Sequence, residues 1–344
     1  MRRQNWPRNI CFPLLVLFLT APGVAQEKHR RIGEIDFYGY AGLDLEKIRA
    51  ALPLREGDEL ANDDNAVRTL IGRIRETVKR VVGKPATDVA VVCCDAQGNW
   101  MFYVGLPGSS IRTLRFNPPP KGRARLPASI TAHYQKTMEA SSRTVRKGVA
   151  AEDDSRGYAL SVDPDLRAMQ LATRAYALRN AALVRRVLAS AEDAEQRIAA
   201  AHILGYARQS ARQIEALARA SQDSDETVRN NAIRALGVLA QSNPRIAARI
   251  PAEHFIAMLS SGSWTDRNKA GFLLDELTKQ RDPKLFAQLR SRSLDSLIEM
   301  ARWRSRGHAD FARTLLGRIA GIEEVRLRAL VEAGQVDQII EALK

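Results

Sequence analysis

Asp223-Ser-Asp-Glu-Thr-Val-Arg-Asn-Asn-Ala-Ile-Arg-Ala-Leu-Gly-Val-Leu-Ala240 reads as a single helix with its starting signal attached. Asp225 is placed to cap it, because its carboxylate can accept the free N–H groups of the first turn. Val228, Ala232, Ala235, Leu236 and Leu239 recur at helical spacing and make one narrow apolar stripe. Arg229, Asn230, Asn231 and Arg234 fall off that stripe. The pattern then returns elsewhere in the chain. Arg197 to Gly205 matches Arg229 to Gly237 at an offset of 32, and Arg267 to Leu274 matches it at 38. Ala312 to Gly317 repeats the alanine and leucines a further 42 residues on. Periods of this size, each holding two helices, are the mark of an α-solenoid.

Asp225-x-x-Val228-Arg229-x-x-Ala232-x-x-x-Leu236-Gly237 resembles the second-helix signature of bacterial HEAT repeats, in the branch that includes phycobilisome-lyase-like arrays. The resemblance assigns residues 161–344 to a HEAT-like repeat domain. It also implies that second helices line a concave trough, with Asn230, Asn231, Arg234 and Lys269 as polar positions a partner could touch. Arg197, Arg229 and Arg267 stand at one repeated position and are expected to form a structural ladder with the turn acids of neighbouring repeats.

The first residues read differently. Arg2, Arg3 and Arg8 precede the apolar run Cys11 to Leu19, and Ala21-Pro-Gly-Val-Ala25 ends in small residues. Residues 1–25 therefore read as a secretory signal peptide, since the run is too short to span a bilayer as an anchor. The expectation is an exported protein of the periplasm or the extracellular side of the envelope. The chain carries 53 basic against 39 acidic residues. That balance could suit nucleic acid, but export argues against it and leaves anionic envelope surfaces as the relevant targets.

Residues 31–106 have a mixed texture. Ile32 to Tyr38 alternates as a strand, Asp44 to Leu52 and Asn62 to Val82 are helical, and Asp88 to Cys94 and Trp100 to Leu106 form a hairpin around Asp95 to Asn99. This β-α-α-β-β order resembles a POTRA domain, carried by Ile35-Asp-Phe-Tyr-Gly39, Leu52-Pro-Leu-Arg-Glu-Gly-Asp58 and the hairpin. The fold expected is thus mostly α, a solenoid preceded by a small POTRA-like α+β domain.

In the POTRA fold the strand beginning at Asp88 lies at the sheet edge and can accept an extended partner segment. Asp88, Val89, Ala90, Val91 and Val92 are accordingly the candidate partner-binding residues there. That strand is apolar on both faces, so the linker or the solenoid must cover the second face unless a partner does. Adjacent strand residues point to opposite sides. Cys93 and Cys94 are therefore read first as two thiols packed as small hydrophobes, with a vicinal disulfide or an intermolecular bond left open.

Residues 107–160 are a basic linker with a docking helix. Nine basic residues oppose the single acid Glu139 between Gly108 and Lys147, and Arg112, Arg115, Lys121, Arg123 and Arg125 crowd its first half. Those five are candidates for contact with an anionic polymer or lipid. Ile130, Tyr134 and Met138 share one face of a helix from Ala128 to Val145.

The chain holds no Walker loop, nucleophile elbow or His-Glu-x-x-His helix. His308 and Asp310 read as a solvated loop pair, and Trp264 and Trp303 as packing residues. Neither a catalytic residue, a cofactor site nor a metal site is expected. The function expected is a non-enzymatic scaffold that binds protein partners of the envelope. The HEAT resemblance supplies a second reading, a lyase-like or tetrapyrrole-binding protein, and the basic linker a third.

Overall fold

The computed structural model describes residues 29–61, 63–95, 97–149 and 151–344. The signal-peptide reading of residues 1–25, and Asn62 at the start of the longer predicted helix, lie outside the described residues. Among those described, the chain is mostly helical, with a small strand-containing N-terminal region. By internal packing, Arg115–Ala252 form one unit, and residues 29–114 with Glu253–Lys344 form another.

The N-terminal part comprises β1 (His29–Tyr38), α1 (Leu45–Ala51), β2 (Glu59–Ala61), α2 (Asp64–Val82), β3 (Asp88–Cys93) and β4 (Trp100–Gly105). The sequence reading missed β2, which is too short for alternation to show. The sheet order is β2-β1-β4-β3, with β1 parallel to β4 and the other pairs antiparallel. A parallel pair needs a crossover, and the two helices supply it. Asp44 caps α1, Asp63 caps α2, and Gly83 ends α2 at a left-handed φ of 84°. Ile48, Leu52, Leu70, Ile74 and Val78 meet Phe37, Val89, Phe102 and Val104 in a core on one sheet face.

The Arg115–Ala252 unit contains α3 (Ala128–Arg146), a two-residue ladder of β5 (Glu152–Asp153) and β6 (Leu160–Ser161), and then α4 (Pro164–Ser190), α5 (Ala194–Gly205), α6 (Ala211–Ala220), α7 (Glu226–Ser242) and α8 (Pro244–Ala247). Asp163, Asp193, Ser210 and Asp225 cap α4 to α7 in turn. Helix α4 packs on α5 and α6 on α7; α5 then lies on α7 and α4 on α6. That is two helix pairs stacked first on first and second on second. Gly205 marks how close the second helices come, because a Cβ there would sit 3.0 Å from the Cβ of Ala235.

The remaining helices are α9 (Glu253–Met258), α10 (Trp264–Thr278), α11 (Pro283–Ala301), α12 (Arg306–Ile319), α13 (Glu324–Glu332) and α14 (Val336–Glu341). The same rule holds: α9 pairs with α10, α11 with α12 and α13 with α14, while α10, α12 and α14 stack in series.

The expected arginine ladder is present in part. Arg197 makes two bonds to Asp223 of the next turn, at 2.8 and 2.9 Å, and donates to the carbonyls of Ala191 and Glu192. Arg229 donates to the carbonyls of Asp223 and Ser224, and its guanidinium lies 3.8 Å from the Phe116 ring centroid. Arg267 donates to the Ser261 carbonyl but meets Glu299 inside α11 rather than a turn acid. Where the next repeat has Ala309 at this position, Arg313 reaches back from one turn later to the carbonyls of Ala301 and Trp303.

Candidate partner-binding surfaces

Strand β3 stands at the end of the sheet order, so one side of its backbone faces no further strand among the described residues. The register sets what its side chains do. Val89 and Val91 turn toward the α1–α2 core, while Asp88, Ala90 and Val92 share a face with Asp36, Tyr38, Met101 and Tyr103. That second face is not left for a partner, because the C-terminal helices of the same unit cover it. Tyr38, Met101 and Tyr103 are buried there, as are Trp264 and Trp303. Tyr103 stacks on Trp264 at 4.9 Å between centroids and meets Trp303 edge-on at 5.1 Å.

Several polar groups on the covered face are met from the helical side. Asp88 accepts from the Trp264 N–H at 3.0 Å and from the Tyr38 hydroxyl at 3.1 Å. Asp36 accepts from the Arg304 N–H at 2.9 Å, and the Trp303 indole donates to the Phe37 carbonyl at 2.9 Å. Burial pushes both carboxyls above their ordinary range. His308 lies buried on α12, hydrogen-bonded through Nδ1 to the Tyr103 hydroxyl at 2.7 Å. The solvated-loop reading of His308 and Asp310 is therefore corrected: both sit on a helix, and Asp310 pairs with Arg313. Burial drives the His308 pKa down to about 3, so the ring stays neutral.

Glu299 is the residue that sequence reasoning passed over. From the last turn of α11, it accepts the three successive N–H groups of Gly39, Tyr40 and Ala41 at 2.7, 2.9 and 3.0 Å. It also accepts the Ser110 hydroxyl at 2.6 Å and pairs with Arg267. Consecutive amides converging on one anion form a nest. Gly39 permits it: its φ is 72°, and a Cβ would strike the Leu106 carbonyl. The one available signal was an acid inside Leu297-Ile-Glu-Met-Ala301.

Along β3 the Asp88 end is closed by the turn before α10, with Gly262 against Thr87. Ala90, Val91 and Cys93 remain half-buried, and Val92 is buried. Cys93 and Cys94 are joined in a vicinal disulfide, which corrects the preferred reading of two packed thiols. Strand β3 ends at Cys93, so the opposite-face rule no longer separates the pair.

The four trough candidates are engaged internally. Asn230 is buried on α7 and Lys269 is buried on α10. Asn231 donates to the Ile198 carbonyl at 3.2 Å and reaches the Tyr134 hydroxyl of α3 at 3.5 Å. Arg234 forms an ion pair with Glu152 of β5. The expectation that these positions lie open along a trough is thereby corrected: the linker segment itself packs onto the second helices of its unit. Tyr134 also meets His202 of α5, ring to ring, at 5.2 Å. Burial lowers the His202 pKa to about 3. Arg112, Arg115, Lys121, Arg123 and Arg125 are all exposed, and Arg125 pairs with Asp193.

No group of three or more metal-ligating side chains occurs among the described residues, and no helix among them is long and apolar enough to cross a membrane. No family model matches the chain, and no curated protein matches it. Among solved structures, a computationally designed armadillo repeat protein for modular peptide recognition is similar at 13% identity and a TM-score of 0.35, covering 62% of this chain and 90% of that one. This is a loose likeness between two largely helical chains.

Proposed function

We propose that the protein is an exported, non-enzymatic scaffold that docks a protein partner, with the edge of β3 from Val89 to Cys93 as its first contact. The observation that carries this reading is the position of β3. Both faces of its sheet are covered from within the unit, so the unpaired backbone edge is what the strand has left to offer. An extended segment could add there through main-chain hydrogen bonds. The leader-like residues 1–25 support export, and a disulfide fits an oxidising compartment. Within each unit, buried arginines tie the turns before the second helices.

Capture from an envelope extract tests the proposal. Of two neighbouring strand residues, one N–H points to β4 and the other away. Ala90→Pro and Val91→Pro therefore separate an edge effect from damage to the sheet. The full chain should capture a protein, and the proline variant that keeps wild-type stability should lose it. Capture by that variant at the wild-type level would refute the edge as the site.

A further inference from the structure

Helix α4 presents a second surface, of another kind. Its inner side holds Leu166, Gln170, Thr173 and Ala177, all buried against the unit. On the opposite side Ala168, Leu171, Ala175 and Leu178 are exposed, at intervals of three, four and three residues. Leu171 and Leu178 are 44% and 46% exposed, two of only five large apolar side chains so exposed among the described residues. The helix breaks at Asn180, which bounds the regular stretch. End repeats of helical stacks ordinarily show solvent a polar face. The first helix of this stack instead shows a seam of alternating alanine and leucine, the spacing by which one helix receives another.

Charge decides between the candidate occupants. The unit holds 22 basic against 13 acidic residues. Arg179 is exposed on α4 before the break and Arg186 beyond it, against the one exposed acid Asp165 near the helix start. Lys136, Arg143 and Arg146, with the single acid Glu139, are exposed on α3, which packs beside α4. The opposite flank carries Arg167 and Arg174, which turn to the carbonyls of Ser161 and Tyr206. A second copy of this chain would bring like charges together along the seam. A bilayer is served poorly by a seam whose alternate positions are alanines and which carries no aromatic ring. We infer that α4 docks an amphipathic helix of another protein, with leucine-type residues on its seam and Asp or Glu on both flanks. The alanines let the partner backbone approach, the two leucines fill its grooves, and the arginines favour acidic flanks over basic ones.

The test uses the full chain and labelled synthetic helical peptides about three heptads long. One carries leucine on the seam and glutamate on both flanks; a second replaces glutamate with lysine; a third scrambles the first. The acidic peptide should bind saturably, and the lysine and scrambled peptides should bind at least tenfold more weakly. Leu171→Ser with Leu178→Ser should weaken binding at least tenfold at unchanged circular dichroism. Arg179→Gln with Arg186→Gln should flatten the salt dependence. Equal binding of the scrambled peptide would overturn the inference by reducing it to bulk charge. Self-association abolished by the serine pair, or flotation with phosphatidylglycerol vesicles lost in that pair, would overturn it in favour of a second copy or a lipid surface.

Discussion

Glu299 sits on one helix and holds a turn of the α+β part by three backbone amides, a hydroxyl and an arginine. Its removal leaves the buried Arg267 uncompensated and three amides unsatisfied. Glu299→Ala should cost about 3–5 kcal/mol in urea unfolding, and a loss below 1 kcal/mol would show that water replaces the carboxylate. His308 gives a pH signature. Its folded pKa of about 3 lies below the ordinary 6.5, so the unfolded chain binds the extra proton first. The stability held above pH 6.5 is therefore lost as pH falls toward 3. Between pH 7 and pH 5 this one ring should account for about 2 kcal/mol, and His308→Gln should remove that share. Parallel pH curves for the two proteins would contradict the buried, neutral ring. Neither residue's role was legible in sequence, because each depends on a partner more than 180 positions away.

At the scale of elements, the repeat was legible where it is local. The cap at Asp225 and the stripe from Val228 to Leu239 follow from spacing within about 20 residues, and the arginine register from offsets of 32 and 38. What spacing could not show is that α7 is buried around most of its girth, Arg229 and Asn230 included, or that α3 and β5 occupy the polar side of the second helices. The POTRA-like reading identified β1, β3 and β4 but not β2. The ladder predicts a coupled pair. Arg197→Met should destabilise by about 3–5 kcal/mol, since Asp223 is left buried and charged, and adding Asp223→Asn should restore part of that loss. A double variant as unstable as the sum of the single ones would mean that the bidentate bond adds nothing of its own.

For the whole molecule, the packing joins segments far apart in sequence: residues 29–114 complete their second sheet face only with Glu253–Lys344. Fragments 29–114 and 253–344 made separately should each be poorly folded, with Trp264 and Trp303 emitting as exposed indoles. Mixing them should shift that emission to the blue, and an unchanged spectrum would show that the sheet face is stable alone. The functional claim rests on what this assembly leaves unpaired. It is tested most directly by amide hydrogen exchange along Val89–Cys93 in the full chain, free and with its captured partner. The account predicts that alternate amides of β3 exchange fast when the protein is free and become protected in the complex. Protection identical in the two states, with changes confined to other surfaces, would contradict it.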